Sequence, residues 1–358
     1  MARRCNGVSI PTIAFGSLLA TLSLTPPAQA HIKWFEPFDI TTQPKPIGEV
    51  LSSTFIYFFM ASVAVVYLFF LADRIAVRRG VMRELDERLK VFDGLSILIM
   101  RGAAVVFFAS VCAFALMGGF SFYLAPELVA HEGWVPWLQL AIALCALGRR
   151  TTPLVGVGIM VLYGLSLARY GTYHLIDYVI FPAIAYFFVA TGWGGASPGW
   201  RKSGFVVLFA ATGVNFLWLS IEKFAYPQWT YPLLAKHQDL LMGIAPETYM
   251  VLAGFVEFVV VFLLLGAASP ATRLIAFAFQ TLLVLGIFEF GLIDAIGHLM
   301  INAILFVLIV RGPTQARDIL VLSSKSPQVE AYFMTGLYYL ALVNAFLVYY
   351  GLHALLIG

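Results

Sequence analysis

Apolar residues in this chain come in long runs, with little of the one-sided period that marks a surface helix. Ten runs approach the about 20 residues an α-helix needs to cross a hydrocarbon layer about 30 Å thick. They fall at 49–72, 95–120, 134–148, 153–170, 176–195, 203–221, 247–266, 271–290, 293–311 and 331–355. Lipid offers the backbone no hydrogen-bond partner, so each run is predicted to be a helix that satisfies its own N–H and C=O groups. The expected fold is an all-α polytopic membrane protein with about ten transmembrane helices.

A shorter apolar stretch, Ile13 to Leu24, follows Arg3 and Arg4 and precedes Ala28-Gln29-Ala30. That order is expected of a cleaved signal peptide over 1–30, with an uncleaved first helix as the alternative. Cleavage would make His31 the first mature residue and place it outside the cytoplasm. An independent rule agrees. On that topology the cytoplasmic loops hold Arg74, Arg78, Arg79, Arg83, Arg88 and Lys90, then Arg149 and Arg150, then Arg201 and Lys202, then Arg273, then Arg311, Arg317 and Lys325. The opposite loops carry few cations, which is the positive-inside pattern. A multi-pass protein of a bacterial-type inner membrane is expected, with both mature termini extracytoplasmic.

Composition narrows the picture. Hydrophobic residues make up 61% of the 358 and charged residues only 11%, which excludes a water-soluble core and equally excludes disorder. The net charge of +3 comes from short clusters rather than a basic stripe, so no nucleic-acid partner is expected. Cys5 lies in the leader and Cys112 and Cys145 lie in apolar runs, with no CxxC pair. No P-loop, GxGxxG, GxSxG or HExxH occurs.

The middle of the chain repeats itself. The stretch from Arg101 to Ala109 echoes Lys202 to Ala210. Pro126 precedes His131 by five residues, as Pro232 precedes His237, and Leu175-Ile176-Asp177 recurs as Leu292-Ile293-Asp294. Two parallel four-helix units are expected at 95–195 and 203–312, flanked by 31–94 and 313–358. In the second unit, Trp218-Leu-Ser-Ile-Glu222-Lys223, then Ala253-Gly254-Phe-Val-Glu257 and Gly266, resembles the DoxX-like family of four-helix membrane proteins. The first unit has neither the Lys nor the Glu of that pattern. The resemblance implies a quinone-linked redox process, with respiratory or redox subunits as partners and a quinone as the bound group.

Glu257 falls near the middle of its run, where an acid costs about 3 kcal/mol on insertion scales and must face the bundle. Asn215, Gln280 and Asn302 lie at similar depth on the other three helices of the unit and are its expected companions. Such a cluster could bind a polar head group or relay a proton, or simply fix helix packing. Gln139 is the main polar residue at comparable depth in the first unit.

The histidines His31, His131, His174, His237, His298 and His353 all fall at extracytoplasmic ends of runs. Asp177 follows His174 by three residues, and Asp294 precedes His298 by four, spacings that share a helix face. Asp294 and His298 are expected to carry a proton from Glu257 outward. The alternative is a copper- or other metal-handling protein, with His31, His174, Asp177 and His237 as ligands. A structural subunit without a site is the remaining reading. Glu222 and Lys223 end the sixth run beside Tyr226 and Trp229, either in an interfacial aromatic belt or in contact with substrate.

Overall fold

Most of the apolar runs become helices, and glycines at positive φ mark two of the places where a helix kinks or ends. The computed structural model describes residues 32–36, 38–314 and 326–357; the signal peptide expected over 1–30, with His31, lies outside them. Among the described residues, seven helices are long and apolar enough to cross a membrane. They are α1 (Ser53–Arg78), α3 (Ser96–Leu116), α5 (Thr152–Leu175), α7 (Pro198–Ala225), α9 (Pro246–Gly266), α10 (Ala271–Phe290) and α13 (Pro327–Leu356). Between them lie α2 (Arg83–Lys90), α4 (Val135–Leu147), α6 (Ile180–Gly192), α8 (Pro227–Lys236), α11 (Leu292–Gly297) and α12 (Leu299–Arg311). Among the described residues there is no strand, only an isolated bridge between Phe122 and Val129.

Seven helices of spanning length stand where ten were expected. The other three, α4, α6 and α12, have 13 residues each, which is about 20 Å of helix. Two of the expected runs, 176–195 and 293–311, divide near their starts, each shortly after a glycine that lies just ahead of the run. Gly171, at φ 80°, kinks the end of α5 before a 3₁₀ turn at Ile176–Tyr178, and α6 starts after it. Gly291, at φ 77°, ends α10 before the short α11. Both glycines adopt positive φ, which a side chain would strain.

Short helices leave buried carbonyl groups at their ends, and arginines satisfy two of these ends. Arg101 donates to Ala146 O at 2.9 Å and also to Leu147 O, closing α4. Arg273 donates to Ile309 O and Val310 O, and to Arg311 O at 3.1 Å, closing α12. A guanidinium suits a helix C-terminus because it supplies several donors and a positive charge. Asp73 does the converse before α10, accepting from the backbone N–H of Ala268 at 2.9 Å and of Ser269 at 3.0 Å.

Neighbouring helices form a closed circuit, α3–α4–α5–α6–α7–α9–α10–α12 and back to α3. Helices α1 and α13 pair outside it, against α9 and α7. Tyr57, Leu68, Tyr332 and Leu347 on those two helices are exposed, as a lipid-facing surface requires. Glycine permits close approach within the circuit: a Cβ on Gly254 would lie 2.6 Å from the Phe224 ring. The segment at 32–36 enters one end of this frame and is held there mainly by its side chains.

Candidate functional site

Glu257 is the first residue to locate. It lies midway along α9, its side chain 17% exposed, and pairs with Lys223 near the end of α7. This ion pair stands in place of the amide cluster expected from the sequence. Asn215 instead accepts the backbone N–H of Ile180 at 3.3 Å. The side-chain oxygens of Gln280 and Asn302 have no hydrogen-bond partner among the described residues. The reason is chemical: an ammonium on a four-carbon stem forms a stronger, charge-assisted bond to a carboxylate than a neutral amide does. Gln139 is fully buried and donates to Phe122 O and Tyr123 O, so it fastens a loop.

Lys223 also lines a cleft of about 220 Å³ between the approach to α1, the end of α7 and the start of α9. Lys45, Ser52, Tyr231 and Thr248 supply polar groups to this cleft, and Val50, Phe224, Pro227 and Val251 supply apolar wall. Apolar wall with a few polar groups, here including Lys45, Lys223 and Glu247, is the usual make-up of a small-molecule site.

A second polar centre, not expected from the sequence, lies where α6 meets α7. The Lys33 ammonium pairs with Asp177, and with Glu222 at 2.6 Å, its side chain 4% exposed. Trp218 Nε1 donates to the other Asp177 oxygen at 2.7 Å. The ammonium also lies 5.0 Å from the Trp229 ring and 5.2 Å from Phe38. Burial works to lower the Lys33 pKa, but Asp177, Glu222 and Glu127 outweigh it and hold the group charged well above the usual lysine range. Glu222 therefore turns inward, as do Tyr226 and Trp229, which stack at 3.9 Å and are buried. The interfacial belt expected of them is corrected: the chain turns at Tyr226 and Pro227 and folds both rings into the bundle.

One of the two expected histidine–aspartate pairs separates. His174 Nε2 bonds Glu127 Oε1 at 2.7 Å, while Asp177 serves Lys33 and Trp218. Asp177, in the 3₁₀ turn, is taken up by Lys33 and Trp218 rather than by the imidazole. His237 Nδ1 bonds Glu289 at 2.5 Å, away from His174. With His31 outside the described residues, His174, Asp177 and His237 do not converge. Among the described residues no group of three or more His, Cys, Asp and Glu is disposed to hold a metal ion.

Asp294 and His298 do come together. The carboxylate oxygen lies 3.0 Å from His298 Nδ1, and both residues are buried. The Asp294 oxygens accept no hydrogen bond of good direction among the described residues. The Trp34 ring packs on this imidazole at 4.8 Å, and Trp34 Nε1 donates to Tyr178 at 3.1 Å. Glu257, from which the pair was expected to take a proton, has Lys223 as its partner.

No family model, no curated protein and no solved structure matches this chain.

Proposed function

We propose that this is a DoxX-like, multi-pass inner-membrane protein that serves a quinone-linked redox process together with respiratory or redox subunits. The observation that carries the reading is the Lys223–Glu257 pair, with Lys223 on the wall of the 220 Å³ cleft. A quinone would bring two-electron redox chemistry coupled to proton exchange. The cleft fits the size of a ring-like head group better than that of a large ligand, since drug-sized sites run from about 300 Å³ upward. In this reading Lys223 and Tyr231 donate hydrogen bonds to head-group oxygens, Phe224 and Val251 flank the ring, and Glu257 exchanges the proton.

The finer architecture belongs to the same proposal. With their adjoining turns, α4, α6 and α12 complete ten crossings, and residues 95–195 and 203–312 form two parallel repeats. Two parallels support this. The circuit joins α6 to α7 and α12 to α3, like junctions in a two-fold arrangement. A positive-φ glycine precedes a buried aspartate in each half, Gly171 before Asp177 and Gly291 before Asp294. The cation pattern sets the Arg273 end in the cytoplasm and the Lys33 end outside.

Photolabelling with an azidoquinone in native membranes tests the reading. Glu257→Gln and Lys223→Met are expected to cut competable labelling at least about tenfold, the loss of one charge-assisted contact. Labelling unchanged in both variants, with both still folded, refutes the cleft as a quinone site.

A further inference from the structure

Lys33 reaches its partners from 144 and 189 residues away, carried on a turn that belongs to none of the long helices. All the groups around its ammonium stand on the helical frame. Asp177 sits within the 3₁₀ turn ahead of α6, Glu222 and Trp218 are on α7, and Trp229 is on α8. The acid is oriented without help from the lysine, because Trp218 Nε1 fixes one Asp177 oxygen and leaves the other for the ammonium. Two carboxylates and an indole face are what an organic ammonium requires: charge-assisted bonds for its N–H groups and a π-surface for its remaining side. Two buried groups beside the ammonium are left over by this arrangement. Trp229 Nε1 and the Tyr226 hydroxyl, on the stacked rings, have no hydrogen-bond partner among the described residues.

We propose that Asp177, Glu222 and Trp229, braced by Trp218, form a receptor for a primary ammonium group on an alkyl chain, and that Lys33 is its tethered occupant. Segment 32–36 is then an intramolecular ligand. Its other holds are side-chain contacts too: Trp34 on Tyr178, Phe35 on Phe290 at 5.2 Å, and Glu36 with Lys236. A free ligand competes against a tether whose effective concentration is of millimolar order, so it acts at millimolar concentrations or above. The ammonium can come from a soluble amine or from an ethanolamine lipid headgroup, and the site chemistry is the same for both. This proposal is independent of the Lys223–Glu257 cleft.

The test uses the full chain in detergent and in vesicles. In the unaltered protein, n-butylammonium at about 100 mM is expected to speed amide hydrogen exchange of residues 33–36. Tetramethylammonium, which has the charge but no N–H donor, is expected to need at least about tenfold more. In Lys33→Ala, n-butylammonium should raise the thermal midpoint, and the added Glu222→Gln should abolish that rise. Reconstitution of Lys33→Ala in phosphatidylethanolamine rather than phosphatidylglycerol vesicles separates the sources: a higher midpoint in the former assigns the lipid headgroup, and equal midpoints with butylammonium rescue assign a soluble amine. Should Lys33→Ala fail to fold, the exchange measurement stands alone. Exchange at 33–36 unmoved by n-butylammonium, or equal responses to the two cations, overturns the proposal and leaves the segment as an anchor.

Discussion

Arg273 donates to Asp86 at 2.8 Å with the same guanidinium that closes the end of α12. One side chain therefore ties the solvated helix α2 to the bundle and satisfies carbonyl groups that a 13-residue helix cannot satisfy itself. The loop cations that read as orientation signals also have structural work at this end. Arg74 bonds Asp73 at 2.6 Å, and Arg78 bonds Glu330 at 2.9 Å.

Arg273→Met keeps the apolar stem and removes the donors. It leaves Asp86 without this partner and the α12 carbonyls unsatisfied, a loss of about 2–4 kcal/mol. Thermal unfolding in detergent should show the drop, whereas Arg149→Met, at an exposed loop position, should lie within about 0.5 kcal/mol of the parent.

The same clamp makes stability depend on acid. Partial burial tends to raise the Asp86 pKa, but hydrogen bonds and charge from Lys90 and Arg273 outweigh it and hold the carboxyl below its ordinary value. A folded-state pKa below the unfolded one gives stability that is present above the unfolded pKa of about 3.9 and lost as pH falls through the folded value. Thermal midpoints should fall from pH 5 to pH 3 in the parent protein, with the Asp86 contribution missing in Asp86→Asn. Parallel curves for the two proteins would remove the clamp from the explanation.

Two glycine substitutions separate close packing from open space. A Cβ on Gly297 would lie 2.2 Å from the Trp34 ring, and one on Gly336 would meet nothing within 4 Å. Gly297→Ala should cost about 1–3 kcal/mol by overpacking. Gly336→Ala, inside α13, should gain about 0.5–1 kcal/mol. Unfolding of the two variants side by side checks the seating of Trp34.

Run length and hydropathy were enough to read the helical membrane class and the place of each long helix. Less legible were the three 13-residue helices, because a hydropathy window registers neither the 3₁₀ turn at Ile176–Tyr178 nor the separation of α11 from α12. Glu257 was rightly read as needing a partner, but depth alone favoured amides over a lysine one helix away. The Lys33 centre was missed for a related reason. A lysine just after an expected cleavage site reads as solvated, and nothing local announces Asp177 or Glu222. What signal there was lay in Glu222, an acid inside an aromatic stretch, where a buried cation is one of the few stable neighbours.

The reach of Lys33 also bears on biosynthesis. Its Glu222 partner is 189 residues further along, and at about 5–20 residues per second that stretch takes the ribosome roughly 10–40 s. Throughout that interval the lysine must wait in water, so the first of the described residues to be made are among the last to find their place.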